Sequence, residues 1–406
     1  MNVAILGYGT VGSGVVEVIN TNKESIDKRA GHEINIKYVL DLKNFPGDPV
    51  ENLVIDDFNT IINDEEVDIV VEVMGGIEPA YSYVKESLKR GKSVVTSNKE
   101  LVAKHGAELL QIARENSVNF LFEASVGGGI PIIRPLNQSL TADEIYEITG
   151  ILNGTTNFIL TKMEEEGRSF EDVLKEAQDL GYAERNPEAD VEGHDACRKI
   201  AILSSLAFGR QVDFEQIPTE GITRISKEDM DYASAMGYTI KLLGTCKKDD
   251  HEIFARVSPV MIPKGHPLAP VQDVFNAILI KGNVIGEVMF YGRGAGKLPT
   301  ASAVVADIVD ASKHKGINVI SHWSKETVEM MDPKRVPVTY FVRVQKADGL
   351  KEKVESIFSE VEWFSLGEFN DELAFVTSEE TEGTHEDRFK QLKEHAFVLS
   401  SIHMEK

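Results

Sequence analysis

The chain has 406 residues, of which 43 are lysine or arginine and 66 are aspartate or glutamate, so its formal net charge is −23. A surface this acidic repels the phosphates of nucleic acids and of acidic membranes, and we expect neither as a partner. With 42% hydrophobic and 27% charged residues, the composition is that of a globular protein of two or three domains, which excludes disorder throughout.

The chain has two cysteines, Cys197 and Cys246. They are too few for a disulfide framework or a four-thiolate zinc site. The first residues run directly into a strand pattern without a cationic leader, and no apolar run reaches the roughly 18 residues that span a bilayer. We therefore expect a cytoplasmic protein that is neither secreted nor embedded in a membrane.

Short apolar strands alternate with helical or loop segments through the first hundred residues. Buried strands are predicted at 3–6, about 34–42, 67–74 and 93–96. The helix that follows the first strand is indicated by apolar residues at Val11, Val15, Val16, Val18 and Ile19. Because strands that alternate with helices form parallel sheets, we predict an α/β fold with a doubly wound N-terminal sheet.

A glycine-rich turn separates the first strand from the first helix. Its residues are Gly7, Tyr8, Gly9, Thr10, Val11 and Gly12. The first glycine permits the tight turn, the second lets the backbone approach a pyrophosphate, and the third allows the helix to pack closely on the strand. The alternative is a plain turn, but the context of strand, turn and helix favours a dinucleotide site.

Polar residues after the second and fourth strands fit the same interpretation. Asp41 would bind a ribose hydroxyl and favour NAD, whereas Lys43 would bind the 2′-phosphate of NADP, so the coenzyme stays open. Ser97 and Lys99 follow the fourth strand, at the sheet edge where ligands of doubly wound folds bind. Taken alone, Lys99 fits an ordinary solvated lysine better than a ligand-binding one, because lysine is abundant and usually exposed.

A second polar cluster lies in the middle of the sequence. It contains Glu184, Asp190, Asp195, Arg198 and Lys199. Asp195 and Lys199 are four residues apart and therefore share one face of a helix that continues with apolar residues all round. Three carboxylates and a lysine could bind a substrate ammonium group and donate a proton. The alternative is an ordinary surface ion pair.

Two glycine-containing segments of the middle region each admit two interpretations. Thr155, in the segment 153–157, would cap the following helix or bind a substrate carboxylate. Residues 125–129, after a predicted strand at 118–123, would present carbonyl oxygens to a monovalent cation or only turn the chain. His194 has no second histidine at metal-ligand spacing, and no hydrolase or kinase motif occurs.

The rest of the chain predicts an open sheet, a returning helix and a small α/β tail. The middle strands are predicted at 144–152, 253–262 and 283–291, with helices at about 170–180 and 195–208. A helix opened by Pro299 is expected to pack back onto the first domain. From 338 to 403 the pattern is that of a βαββαβ unit.

Taken together, these segments resemble the homoserine dehydrogenase family over about residues 1–320. The resemblance is carried by 7–12, 96–99, 123–131, 150–157, 190–199 and 294–301, in that order. It implies reversible reduction of L-aspartate 4-semialdehyde to L-homoserine by NAD(P)H, on the route to threonine, methionine and isoleucine. The tail resembles an ACT domain, which implies an amino-acid effector.

The resemblance also implies roles for individual residues. It places dinucleotide contacts at Tyr8, Thr10, Val11, Ser97, Lys99 and Gly294, and substrate contacts at Thr155, Glu184, Asp190 and Asp195. It suggests a sodium or potassium ion held by Glu123, Val126, Gly128 and Ile130, largely through main-chain oxygens. Lys199 is the expected proton donor, held by Asp195, and Lys99 would add a second positive charge near the same oxygen.

The domain division follows from the glycine-rich break after the strand at 118–123, from the linker-like segment before the tail and from the same resemblance. We expect a dinucleotide-binding domain at 1–128 with 297–316, a substrate-binding and dimerisation domain at 129–296, a linker at 317–333 and an ACT-like regulatory domain at 334–406. A homodimer or homotetramer is expected. Two features depart from the family pattern: no arginine precedes Asp41, and the tail has Lys346-Ala347-Asp348-Gly349-Leu350 without a proline. Coenzyme preference and effector therefore stay open.

Two rival functions remain at this point. One is another NAD(P)-dependent amino-acid dehydrogenase built on the same plan, which would have to account for the helix carrying Asp195 and Lys199. The other is a noncatalytic sensor of cofactor and amino-acid levels. Retention of both Lys99 and Lys199 argues against the sensor.

Overall fold

The structure is a computed structural model that describes residues 1–249, 252–367 and 369–405. Its strands are β1 (Asn2–Leu6), β2 (Asn35–Leu40), β3 (Val54–Ile55), β4 (Val67–Glu72), β5 (Ser93–Thr96), β6 (Phe120–Leu121), β7 (Ile145–Ile151), β8 (Arg210–Gln211), β9 (Tyr238–Asp249), β10 (Glu252–Pro263), β11 (Phe275–Gly282), β12 (Gly286–Arg293), β13 (Ser324–Thr327), β14 (Pro337–Gln345), β15 (Val361–Phe364), β16 (Glu372–Thr377), β17 (Glu380–Thr381) and β18 (Val398–Met404).

The α-helices are α1 (Thr10–Thr21), α2 (Lys23–Ala30), α3 (Phe58–Ile62), α4 (Ala80–Lys89), α5 (Lys99–Glu115), α6 (Gly154–Glu166), α7 (Phe170–Asp179), α8 (Glu188–Val191), α9 (His194–Phe208), α10 (Lys227–Ala235), α11 (Lys297–Lys313), α12 (Leu350–Ile357) and α13 (Glu382–Lys393). The chain forms two compact units. Unit 1 comprises 1–148, 198–215 and 276–328, and unit 2 comprises 149–197, 216–275 and 329–406. The domain boundaries expected from the sequence stay a prediction.

Unit 1 contains a six-stranded parallel sheet in the order β3-β2-β1-β4-β5-β6. The residues Val3 to Leu6 of β1 are fully buried, as expected of a strand covered on both faces. Helix α11 packs on α1, and a Cβ at Gly14 would stand 3.1 Å from the Ala301 Cβ. The predicted doubly wound sheet and the packing of the returning helix are both confirmed.

Unit 1 also contains β12, all but the first residue of β11 and the first four residues of β7, in the order β12-β11-β7. Residues 317–323, expected as part of a linker, are held on this unit. Asn318 donates to the Val118 carbonyl, Val319 donates to the Asn119 side chain, and Trp323 is 3% exposed. Trp323 lies over Gly106, where a Cβ would approach its ring to 2.7 Å.

Unit 2 begins with the helices α6 to α8 and continues through the antiparallel pair β9 and β10. Its last segment runs β14, α12, β15, β16, α13, β18, with the strands ordered β18-β14-β16-β15. An apolar cluster that includes Val342, Val354 and Phe375 lies between this sheet and its helices. The predicted βαββαβ tail is confirmed.

A charged cluster links β10 to this last segment. Arg256 contacts the Glu382 carboxylate at 2.7 Å and His403 at 2.6 Å, and Tyr340 donates a hydrogen bond to Glu382. Burial by itself would raise the pKa of Glu382, but the hydrogen bond from His403 and the charge of Arg256 outweigh it and lower that pKa to about 2. These groups neutralise one another within the unit.

Several elements differ from the sequence prediction. The strand expected at 118–123 is reduced to β6, because residues 123–125 turn into a 3-10 helix. Strand β12 begins three residues later than expected, after the strand β11 that sequence patterns missed. Strand β9 and helix α10 were missed as well. The missed strands β9 and β11 are largely buried, but polar residues such as Lys241 and Asn276 interrupt their apolar stretches, so neither strand shows a continuous apolar run or a regular alternation along its length.

Candidate functional site

The glycine turn after β1 is shaped by two close backbone approaches. Gly7 has a φ of +98°, which favours glycine. A Cβ at Gly12 would lie 2.0 Å from the Gly7 carbonyl oxygen, so this position excludes any side chain. Gly9 has open space around it and precedes α1 without a side-chain cap. The first turn of α1 can therefore direct backbone N–H groups at an anion.

The end of β2 lies against this turn. The Asp41 carboxylate accepts a hydrogen bond from the Tyr8 N–H at 2.9 Å and another from the Lys43 N–H at 3.0 Å. The Tyr8 hydroxyl donates to Asp48 at 2.7 Å, and its ring meets Phe45 edge-on. Asp41 is thus placed beside the turn, as sequence reasoning expected, and it also fixes the Tyr8 backbone.

The carboxyl edge of the sheet carries Ser97 and Lys99. Both are partly exposed, and Lys99 opens α5. The preceding Asn98 caps this helix by accepting from the Leu101 N–H, and its amide donates to the Gly76 carbonyl at 2.6 Å. Sequence reasoning gave Asn98 no role; its position immediately before a helix was the available signal.

A buried carboxylate, Glu72, also lies at this edge and was not anticipated. It accepts a hydrogen bond from the Thr96 hydroxyl at 2.6 Å and from the N–H groups of Met74 and Gly75. Burial raises the pKa of Glu72 above its usual range, while these donors oppose the rise. Glu72 therefore joins the ends of β4 and β5 to the turn that follows β4.

Lys199, on helix α9, belongs to unit 1 and is 8% exposed. Its neighbour Arg198 lies 3.7 Å from Glu100, the residue after Lys99, and over the ring of Phe214. This ion pair sets the first turn of α5 beside α9. The two lysines expected to act on substrate thus belong to adjacent helices of one unit.

The segment 123–130 also lies in unit 1 and is tightly fitted. Both oxygens of the buried Glu123 carboxylate are used, because Ile132, Ile133 and Arg134 donate their backbone N–H groups to them at 2.5 to 2.8 Å. Gly128 has a φ of +56°, and a Cβ there would lie 2.2 Å from the Gly294 carbonyl oxygen. The expected cation segment and the loop of Gly294 are therefore in direct contact.

The carbonyls of this segment divide into two sets. Gly127 accepts a hydrogen bond from the Ile130 N–H at 2.8 Å. Within the part of the chain that the structure describes, no hydrogen bond is donated to the carbonyls of Val126, Gly128 or Ile130. Three alternate oxygens thus remain available to a cation, which agrees with the preference of hard cations for oxygen ligands.

In unit 2, the Asn153 side chain is hydrogen-bonded to two acidic residues, Asp190 and Asp195. Its Nδ2 donates to Asp190 at 2.8 Å and to Asp195 at 2.9 Å, and its Oδ1 accepts from the Thr156 N–H. Asp195 is 3% exposed. Asn153, not a threonine hydroxyl, therefore caps α6, and the same side chain orients two carboxylates that sequence reasoning placed at the substrate.

The remaining expected substrate residues lie close in sequence to this cluster. Thr155, in the first turn of α6, donates its hydroxyl proton to the Tyr182 carbonyl at 2.7 Å. Glu184 lies two residues after Tyr182 and is exposed. Among the described contacts of unit 2, its one hydrogen bond is accepted by its backbone carbonyl from the Gln178 side chain. The structure thus joins Asn153, Asp190 and Asp195 directly and places Glu184 at the surface.

The described residues contain neither a membrane-spanning helix nor a metal-binding cluster of side chains. None of their helices is both long and apolar enough to cross a membrane. None of their histidine, cysteine, aspartate and glutamate side chains form a group of three or more suited to a metal ion.

Comparison with known families gives two matches along the chain. The model described as homoserine dehydrogenase, NAD binding domain, matches residues 7–123. The model described as homoserine dehydrogenase matches residues 131–309. Together they cover the glycine turn, both lysines, the Asn153 cluster and the loop of Gly294.

Curated relatives and solved structures point the same way. A homoserine dehydrogenase of Bacillus subtilis (strain 168) is 43% identical over 89% of this chain and 85% of its own length. A homoserine dehydrogenase from Thiobacillus denitrificans superposes with a TM-score of 0.92 at 37% identity, over 100% of this chain and 98% of its own. A hyperthermophilic archaeal homoserine dehydrogenase in complex with NADPH superposes with a TM-score of 0.66 at 30% identity, over 77% of this chain and 97% of its own.

Proposed function

The chain belongs to the homoserine dehydrogenase family, and from that membership we propose how its own residues carry out the reaction. It is an NAD(P)-dependent oxidoreductase acting on a CH–OH group, and it interconverts L-homoserine and L-aspartate 4-semialdehyde. We place this reaction in the cytoplasm, on the route to threonine, methionine and isoleucine. The buried free thiols of Cys197 and Cys246 fit a reducing compartment.

The glycine turn is our proposed seat of the dinucleotide. The space around Gly9 and the N-terminus of α1 fit a pyrophosphate, with Tyr8, Thr10 and Val11 supplying backbone contacts. Ser97, Lys99 and Gly294 would hold the nicotinamide end. When bound, the dinucleotide supplies or accepts the hydride. Asp41 and Lys43 together leave both NAD and NADP acceptable.

Lys199 is our proposed proton donor. Reduction of an aldehyde builds negative charge on its oxygen, and a buried ammonium can give that oxygen a proton. Lys99 would stabilise the same charge, in keeping with the contact between the first turn of α5 and α9. Asp195 stands one turn before Lys199 on α9 and would both hold the lysine and bind substrate.

The cluster around Asn153 is our proposed substrate site in unit 2. Asp190 and Asp195 supply negative charge for the α-ammonium group, and the exposed Glu184 would close on the same group when substrate is bound. Thr155, in the first turn of α6, would bind the carboxylate group of the substrate. The observation that carries this proposal is the orientation of two carboxylates by one neutral amide.

We also propose a sodium or potassium ion at Glu123, Val126, Gly128 and Ile130. The carbonyls of Val126, Gly128 and Ile130, which receive no hydrogen bond from the described residues, support it, and the contact of Gly128 with the loop of Gly294 would let the ion order both segments. The ion supplies fixed positive charge and no redox chemistry. The Glu123 carboxylate already accepts three backbone N–H groups, so it would contribute chiefly by holding the segment.

Assembly and regulation complete the proposal. Exposed apolar side chains on β7, on β12 and in the turn before β12 support a homodimer or homotetramer; they are Tyr146, Val284, Ile285, Met289 and Tyr291. The βαββαβ segment would act as an ACT-like domain that binds an amino-acid effector. The turn at 346–350, which lacks proline, leaves the identity of that effector open.

The test is a rate measurement with purified protein. Absorbance of reduced nicotinamide is followed with L-homoserine and either NAD or NADP, in sodium, in potassium, and in a bulky organic cation as control. We expect turnover with at least one coenzyme and faster turnover with one of the two metal ions. Folded, dinucleotide-bound protein that gives no turnover under any condition would contradict the assignment and favour the sensor.

A further inference from the structure

A buried lysine in unit 2 has no part in the reaction described so far. Lys241 lies on β9 and is 1% exposed. Its Nζ donates to the Val271 carbonyl at 2.7 Å and lies 3.3 Å from the Asn157 Oδ1. Because burying an ammonium group is costly without compensating partners, these two acceptors must be held firmly in place.

Burial is the main influence on the pKa of this lysine. It lowers the pKa of Lys241 to about 8, and the negative charges of Glu164, Glu165 and Asp273 oppose that lowering. At neutral pH the side chain is therefore mostly charged and acts as a hydrogen-bond donor. A methionine would fill nearly the same space at lower desolvation cost, so packing alone does not account for a lysine here.

Asn157 connects Lys241 to the segment 271–275. Its Nδ2 lies 3.2 Å from the Val271 carbonyl and 3.0 Å from those of Asp273 and Phe275. The Asp273 N–H donates to the Thr161 hydroxyl, also on α6. Asp273 has a φ of +53°, which is uncommon for a residue other than glycine. The segment is thus clamped to α6 in a conformation it would not adopt readily alone.

The same helix carries the proposed substrate residues. Asn157 lies one turn after Asn153 and donates its N–H to the Asn153 carbonyl at 3.3 Å. Asn153 in turn orients Asp190 and Asp195. A chain of contacts therefore runs from Lys241 through Asn157 to the cap of α6 and the two carboxylates.

We propose that Lys241 is a positioning residue for substrate binding: by holding the Asn157 side chain and the Val271 carbonyl, it fixes the first turn of α6 and so the orientation of Asn153. This inference rests on the proposed function for its link to L-homoserine. The clamp itself rests only on contacts within unit 2.

The kinetic test is Lys241→Met, which keeps the length of the side chain and removes its donors. We expect the KM for L-homoserine to rise about 3- to 10-fold, below the roughly 100-fold that a full ångström of misplacement can cost, because Lys241 acts on Asn153 only through Asn157. The KM for the dinucleotide should stay within about twofold of the wild-type value, because the series of contacts from Lys241 to Asn153 does not involve the glycine turn. A variant that melts earlier but keeps its KM for L-homoserine would reduce Lys241 to a structural role and overturn the proposal.

A matched control comes from a second buried lysine. Lys92 of unit 1 is 5% exposed and donates to the carbonyls of Asp64 and Val67 at 2.6 and 3.0 Å. Lys92→Met removes the same chemistry without touching α6. We expect it to lower stability and leave both KM values unchanged. An equal rise in the KM for L-homoserine in this control would show that the effect is nonspecific.

Hydrogen exchange keeps the inference separate from the function. In Lys241→Met, the amides of 153–157 and 271–275 should exchange faster than in the wild-type protein, and those of the glycine turn should not change. If the wild-type protein does not turn over L-homoserine, the proposed function fails while this measurement still tests the clamp. Unchanged exchange would contradict positioning. Should Lys241→Met fail to fold, Asn157→Asp retains an acceptor for Lys241, removes the amide donors and is expected to give the same exchange pattern.

Discussion

The glycine turn of unit 1 and the Asn153 cluster of unit 2 are built by different means. The turn is shaped by backbone: Gly12 is fixed by the approach of the Gly7 carbonyl, and the helix end offers N–H groups. The cluster is shaped by side chains from separate segments, joined by one amide. A backbone site tolerates change in most neighbouring side chains, whereas a side-chain site depends on each donor and acceptor.

This difference separates binding from chemistry. The dinucleotide needs a shape and a helix N-terminus, which a short contiguous segment supplies. The substrate needs charges and a proton donor at defined distances, which residues far apart in sequence must supply together. Substitutions in the two regions should therefore affect different kinetic constants.

The largest effect is expected when the side chain proposed to donate the proton is removed. Lys199→Met should lower kcat by about 10²- to 10⁴-fold, because the proposed general acid is lost. Dinucleotide affinity, measured by fluorescence titration, should stay near that of the wild-type protein. Equal loss of turnover and dinucleotide affinity would indicate damage to the fold instead of loss of a proton donor. Lys92→Met serves again as the control for removing a buried lysine.

A smaller effect is expected when the backbone site is altered. Gly12→Ala forces a Cβ within 2.0 Å of the Gly7 carbonyl oxygen, so both stability and dinucleotide affinity should fall, the former by about 1 to 3 kcal/mol. Gly9→Ala meets nothing within 4 Å in the free protein. It should retain stability and lose roughly tenfold in dinucleotide affinity, because the added methyl group occupies the pyrophosphate position.

Thermal unfolding and calorimetric titration of both glycine variants check this contrast. If Gly9→Ala binds the dinucleotide with wild-type affinity, the pyrophosphate does not lie against Gly9. Wild-type stability in Gly12→Ala would mean that the turn yields easily, and the backbone account of this site would then be wrong.

The smallest effect is expected within the acidic cluster. Asn153→Asp retains an acceptor for the Thr156 N–H but sets a carboxylate against Asp190 and Asp195. Repulsion among like charges raises the pKa of one of them. The KM for L-homoserine should rise by about tenfold at pH 8 and by less at pH 6, where protonation relieves the repulsion. A pH-independent KM equal to that of the wild-type protein would remove Asn153 from the substrate site.

Much of the fold could be predicted from local pattern. Strands β1, β4 and β5 are short apolar runs between turns and helices, helix α1 and the βαββαβ tail show clear apolar patterns, and the glycine turn has a spacing that few other structures require. The missed strand β9 is largely buried but has polar residues such as Lys241 within it, and β12, whose start was misplaced, is exposed or half-exposed along its length. Local physics sets the type of a strongly periodic element, but it does not say which apolar runs meet.

The sequence by itself determined the dinucleotide turn, the α/β class and the family, because these depend on contiguous residues whose spacing is constrained by backbone geometry. Only the tertiary structure decided the contacts of Glu72, Asn153, Asn157 and Lys241. Each is a polar residue whose function is set by its partners, and those partners come from other segments of the chain. Until folding brings donor and acceptor together, a buried polar side chain cannot be distinguished in the sequence from an exposed one.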